Sequence, residues 1–134
     1  MTTPRPYPAL SELARPGKRA VVTPDLVGFH GPTSGRVELP HRMFWQANRG
    51  FDLDRPFFLQ WMYEIVLLEA LTFDELRAWL DVPTLHRLWP TLYMPHGVRR
   101  DWEDRHPSLR DARLASPEQS QPGYERWLAA RQVS

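Results

Sequence analysis

Residues 51–80 read FDLDRPFFLQWMYEIVLLEALTFDELRAWL, and this stretch decides the fold. From Pro56 to Leu71 almost every helical face is apolar. Gln60 and Glu64 form a polar stripe at i,i+4, and Glu69 falls on the opposite side. A helix that is apolar all round must be covered on several sides. The expected fold class is therefore all-α: a small bundle of short helices around one apolar central helix. Asp52 and Asp54 precede Pro56, the chemistry of a helix start, with acceptor side chains first and proline in the opening turn.

The segments that follow supply the cover. Thr72-Phe73-Asp74-Glu75 is a capping box, in which the Thr72 hydroxyl takes the Glu75 amide and the Glu75 carboxylate reaches back to Thr72. Phe73, Leu76, Trp79 and Leu80 then recur at helical spacing. Asp81 caps the next helix, about Pro83 to Trp89, and Pro90 breaks it. Pro95 opens a further helix carrying Val98 and Trp102 and ending in Arg105-His106, cations that suit the helix dipole.

The flanks differ in composition. Residues 1–37 are rich in proline, glycine and basic residues and form an irregular N-terminal arm. Within it, Pro8 to Ala14 fits two helical turns, Arg19 to Thr23 has the β-branched character of a short strand, and His30 to Gly35 is a loop by its breakers. The arm is either a poorly ordered leader or a segment that orders on a partner. Residues 38–109 form the helical core domain. Residues 110–134 are a polar tail, with Tyr124 to Arg131 as a short terminal helix or a frayed end.

Composition narrows the function. Of 134 residues, 42% are hydrophobic and 25% charged, ordinary values for a soluble globular domain. Seventeen basic and sixteen acidic side chains leave a net charge of +1, which gives no global attraction to nucleic acid or an anionic membrane. Cysteine is absent, which removes disulfides and thiolate metal sites and fits a reducing cytoplasm. The opening MTTPRPYPAL has no apolar signal region, and Ile65 to Leu68 is too short to span a bilayer. The expected location is cytoplasmic, with no membrane contact.

No catalytic pattern is present. The five histidines, His30, His41, His86, His96 and His106, include no i,i+4 pair and no HExxH, so neither a metal nor another cofactor is expected. The carboxylate pairs Asp52/Asp54 and Asp74/Glu75 are explained by capping, and Glu103/Asp104 by a charged helix face. The chain has no GxSxG, no Gly-rich phosphate loop and no thiol nucleophile. An enzyme would need two histidines and a carboxylate to converge in a pocket, and the expectation is that it is not one.

Six tryptophans in so short a chain exceed what a small core needs, and Trp and Arg dominate interface energetics. Arg99 and Trp102, at i,i+3, read as one surface knob. Arg100 lies beside it, and Trp127 extends it. With Phe29 of the arm, Trp45 of the aromatic run at 43–45, and Trp89, these residues form the expected partner-binding set. A homodimer would use the same apolar surface. DNA is the alternative partner: Leu76, Leu80, Val82 and Leu85 have a helix-turn-helix flavour, with His86 and Arg87 on the second helix. There, however, Asp81 holds the turn position usually given to glycine, and the second helix is short.

One pattern runs through the core: Leu39-Pro40, Phe44-Trp45, Asp52-Leu53, Tyr63-x-x-Val66-Leu67-x-Glu69, Asp74-x-Leu76, Leu88-Trp89-x-x-Leu92-x-x-Pro95-x-x-Val98-Arg99-x-x-Trp102. Over about residues 39–109 it resembles a family of small bacterial proteins encoded beside nucleotidyltransferase-type toxins of the abortive-infection class, a phage-defence arrangement. The family's Glu-Gly-Thr after the central helix is replaced here by Glu69-Ala70-Leu71-Thr72. The resemblance implies an antitoxin of a toxin–antitoxin system, acting by protein–protein interaction. It would be a non-catalytic module that neutralises a partner toxin, a nucleotidyltransferase, by direct contact.

Overall fold

A computed structural model describes residues 13–15, 18–44, 46 and 50–133. The chain is mostly helical, with two short antiparallel strand pairs added to the expected bundle. In order they are β1 (Leu13–Arg15), β2 (Lys18–Arg19), β3 (Arg36–Glu38), β4 (Gly50–Asp52), α1 (Pro56–Glu69), α2 (Phe73–Trp79), α3 (Val82–Leu88), α4 (His96–Arg105), α5 (Pro107–Leu114) and α6 (Tyr124–Val133). A 3-10 turn at Trp89–Thr91 links α3 to α4, and another at Pro117–Gln119 precedes α6.

The central helix is where the apolar run places it. Leu59, Met62, Tyr63, Val66 and Leu67 of α1 are buried, and Phe58, Trp61, Ile65 and Leu68 pack against the core at its margin. The polar stripe has its own task. Gln60 Nε2 donates to the Thr91 carbonyl at 3.0 Å, and Glu64 Oε2 accepts the Tyr93 amide at 2.8 Å. The two polar residues thus hold the 3-10 turn against a helix that is otherwise apolar. The helix ends at Glu69, two residues before the expected Leu71, because Ala70 is already extended.

The caps are partly as expected. Asp81 Oδ2 accepts the Thr84 amide at 3.1 Å and starts α3. Thr72 Oγ1 accepts the Glu75 amide at 3.1 Å, but the Glu75 carboxylate takes the Leu71 amide at 2.7 Å rather than that of Thr72. Asp52 and Asp54 do not cap α1, whose N-cap is Arg55 without a side-chain bond. Asp52 Oδ1 instead accepts the Asp54 amide, and Asp54 Oδ1 accepts the Gly35 amide. The aspartates close the β3–β4 region, and Pro56, which has no amide to satisfy, starts the helix.

The flanks depart further from expectation. Leu13 and Ala14, expected at the end of a helix, lie in β1, paired with β2; residues 8–12 lie outside the described residues. The expected strand at Arg19 to Thr23 survives only at its first residue, in β2. Beyond it, Ala20, Val22 and Thr23 are nonetheless buried. The arm then runs across the bundle. The His106 ring donates to the Thr23 carbonyl at 2.8 Å, Arg77 Nε donates to Val27, and the amides of His30 and Gly31 donate to the carbonyls of Arg77 and Leu80, each at 2.9 Å. These last two bonds satisfy carbonyls at the C-terminal end of α2, which a helix cannot pair internally. Gly31 is required there, since a Cβ would lie 2.2 Å from the Trp79 carbonyl carbon.

On the other flank, α5 (Pro107–Leu114) runs across the expected boundary at 109/110 into the expected polar tail, with Leu109 and Arg113 buried. Tyr124 at the start of α6 is buried as well. Residues from both flanks therefore share one packed body with the expected core. No helix among the described residues is long and apolar enough to cross a membrane.

Candidate partner-binding surface

The expected surface knob lies inside the protein. Arg99, Trp102 and Trp89 are each 0% exposed, which corrects their reading as surface anchors. The cause is the helix break at Pro90. It ends the α3 ladder and leaves the Trp89 carbonyl with only a long, 3.4 Å bond from the Leu92 amide. Arg99 fills that need: Nη1 donates to the Trp89 carbonyl at 2.9 Å, Nη2 to the Leu92 carbonyl, and Nε to Gln121. Its guanidinium also lies 4.9 Å from the Trp89 ring centroid. Burial pulls the Arg99 pKa down to about 10, partly offset by the Glu103 charge, so it stays a cation at neutral pH.

Beside it lies a buried polar network. The Glu103 carboxylate accepts Trp89 Nε1 at 2.9 Å, Arg113 Nε at 2.8 Å, Arg113 Nη2 at 3.2 Å and the Tyr124 hydroxyl at 3.2 Å. Arg113 also reaches Glu125. Burial lowers the Arg113 pKa, but the hydrogen bonds and charges of Glu103 and Glu125 outweigh it and the net shift is upward. Burial, reinforced by the Glu103 charge, pushes the Tyr124 phenol upward. The members of this network bond one another, which ties α4, α5 and α6 together.

The remaining expected contacts are scattered. Phe29 is half-buried against the core. Arg100 is half-exposed and faces Asp104 at 3.6 Å. Trp127 stacks on Tyr124 at 5.9 Å and meets the His96 ring at 5.3 Å. Trp45 lies outside the described residues. Trp127 and Arg100 are thus accessible in part, but the described members of the set form no single surface.

The contiguous aromatic surface is elsewhere, at the start of α1. Phe51 of β4 is its floor, 1% exposed. Trp61 stands edge-on to Phe51 at 5.5 Å and to Phe44 at 5.2 Å. Phe57 leans on Phe58 at 5.4 Å and on Trp61 at 5.8 Å. Phe57 itself is 70% exposed, and Phe58, Trp61 and Phe44 are half-exposed. Edge-to-face and tilted ring pairs favour one another, so this is an apolar rim of mutually packed rings over a buried base. Sequence reasoning placed Phe57, Phe58 and Trp61 in the covered helix. The available signal was Asp54-Arg55 directly before Pro56, which puts the first helical turn at the edge of the body.

Two other candidate sites are ordinary. A groove of about 450 Å³ is lined by Leu68, Tyr93, Met94, Pro95, His96 and Gln121. It brings no acid–base pair together, and His96 has its pKa lowered by burial and then by the Arg99 charge. The α2–α3 pair buries Thr84, Leu85 and Leu88. The His86 ring donates to the Val82 carbonyl and accepts the Ser108 hydroxyl, so α3 offers a groove little beyond exposed Pro83 and Arg87. Among the described residues, no three histidine or carboxylate side chains gather as a metal site. No family model, curated protein or solved structure matches the chain.

Proposed function

We propose that this protein is an antitoxin-like binding module that neutralises a partner toxin by direct contact through the aromatic rim at the start of α1. The observation that carries the reading is Phe57, 70% exposed yet in edge contact with Phe58 and tilted against Trp61. A large apolar side chain packed on neighbouring rings has part of its surface already ordered, which lowers what a partner must supply to bind it. The partner's class, a nucleotidyltransferase toxin, rests on the resemblance of residues 39–109 to antitoxins encoded beside such toxins.

A standard interface hides about 800 Å² on each side, more than a few aromatic rings present, so the rim would be the centre of a larger contact. Co-expression with a neighbouring nucleotidyltransferase, followed by affinity capture at micromolar concentration, tests this. The expected result is co-purification with the intact chain and loss of the complex by at least about tenfold, 1.4 kcal/mol, for Phe57→Ser. A well-folded chain that never associates, or a Phe57→Ser variant that binds undiminished, overturns the reading.

A further inference from the structure

We propose that Ser108 and His86 form a nucleophile–base dyad that gives this protein a weak esterase activity toward small carboxylic esters. Ser108 is the second residue of α5, and His86 lies in the last turn of α3. The two helices bring the Ser108 Oγ to 2.7 Å from the His86 Nε2. The other ring nitrogen, Nδ1, lies 2.9 Å from the Val82 carbonyl oxygen. A carbonyl oxygen can only accept, so Nδ1 carries the proton of the neutral ring. Nε2 then keeps its lone pair and accepts the serine hydroxyl. Nucleophile, base and orienting group thus follow one another, the arrangement that activates a serine.

The same bond would also serve as a staple between two helices, so access and charge decide between the two roles. Ser108 is exposed and His86 half-buried, which lets an ester carbonyl reach Oγ from solvent. Oγ stands in the first turn of α5, which carries no acidic side chain, so the positive helix end favours a developing oxyanion. In the acylation step Oγ attacks the carbonyl carbon while Nε2 takes the hydroxyl proton. The bond from that carbon to the alkoxy oxygen then breaks, and the imidazolium returns the proton to the departing alkoxide. Water, giving a proton to Nε2, attacks the acyl-serine, releases the carboxylic acid and restores Ser108. The site is open to water, and electrostatic help is far weaker there than in a dry pocket, so the acceleration is modest. Neither residue belongs to the aromatic rim, so the dyad neither needs nor supports the docking proposal.

Two probes of the full chain test the dyad: hydrolysis of p-nitrophenyl acetate, and labelling by a fluorophosphonate, from whose phosphorus Oγ displaces fluoride. The expected results are hydrolysis faster than by free imidazole at equal concentration and a covalent adduct mapped to Ser108 by peptide mass spectrometry. Ser108→Ala and His86→Gln should each lower hydrolysis at least about tenfold, a tenth of the least that general-base catalysis usually contributes. His30 makes a similar ring-to-carbonyl bond, to Gly28 at 2.9 Å, and His30→Gln should leave the rate unchanged. Ser108→Cys keeps the size of the side chain and places one thiol in a chain without cysteine. Its alkylation by iodoacetamide should slow when His86→Gln is added, which tests the base even if Ser108→Ala folds poorly. Hydrolysis no faster than by imidazole, an adduct on other residues, or a Ser108→Ala variant as active as the parent overturns the proposal. The last result would mean that histidine acts alone and that the bond to Ser108 only joins the helices.

Discussion

At the scale of single residues, charge here does the work usually left to apolar side chains. Glu103 is 4% exposed and Arg113 is 2% exposed. The ion pair they form is favourable only because the other acceptor sites of Glu103 are filled by Trp89 and Tyr124. Removing one member of such a pair leaves a buried charge and unpaired donors, a loss of about 3–5 kcal/mol. Glu103→Ala is expected to lower the unfolding free energy by that amount in urea titrations. Arg42→Ala breaks the half-exposed pair with Glu75 and should cost less than about 1 kcal/mol. Equal losses for the two variants would show that the buried network contributes no more than a surface pair. Neither Arg99 nor Arg113 was legible as a core residue. A hydrophobic pattern counts arginine as solvent-facing, and only the carbonyls freed at Pro90 or the position of Glu103 explain why these two turn inward.

At the scale of elements, what could be read was what periodicity and caps encode locally. The central helix, the Asp81 start and the Thr72 hydroxyl bond are each fixed within a few residues, and each lies near its expected place. The α5 helix was missed because Leu109 and Arg113 are its only buried residues, a core face half made of a cation. The strands β3 and β4 were missed because three-residue strands owe their existence to partners: Val37 pairs with Phe51, and neither segment alternates long enough to announce itself. The arm gave a loop signal at His30 to Gly35 but not its destination. Its docking is sharply testable at Gly31, where the backbone passes so close to Trp79 and Leu80 that an added Cβ would lie 2.2–2.4 Å from their atoms. Gly31→Ala should detach the arm from the end of α2 without unfolding α1. Amide hydrogen exchange should then show faster exchange at His30 and at position 31 and unchanged protection in α1. Protected arm amides in that variant would contradict the close approach.

At the scale of the whole molecule, the C-terminal helix closes the bundle through a histidine whose charge is unwelcome. The His96 ring packs edge-on against Tyr124 at 5.5 Å and Trp127 at 5.3 Å. Burial, and then the nearby Arg99 cation, hold its pKa below the ordinary histidine value. The folded state thus binds a proton less readily than the unfolded chain, whose histidine titrates near about 6.5. Stability from this group is complete above that pH and falls as the solution is acidified from there through the lower, folded-state pKa, because the unfolded chain takes up the proton first. Groups other than His96 titrate in parent and variant alike. The informative quantity is therefore the difference between the parent and His96→Gln, measured by urea unfolding at steps between pH 7.5 and about pH 5. The parent should lose stability over this range faster than the variant, whatever the offset between them at neutral pH. Parallel curves would mean that the ring is protonated as easily in the folded protein as in the unfolded chain, and that Arg99 and the aromatic contacts of α6 exert no net pressure on it.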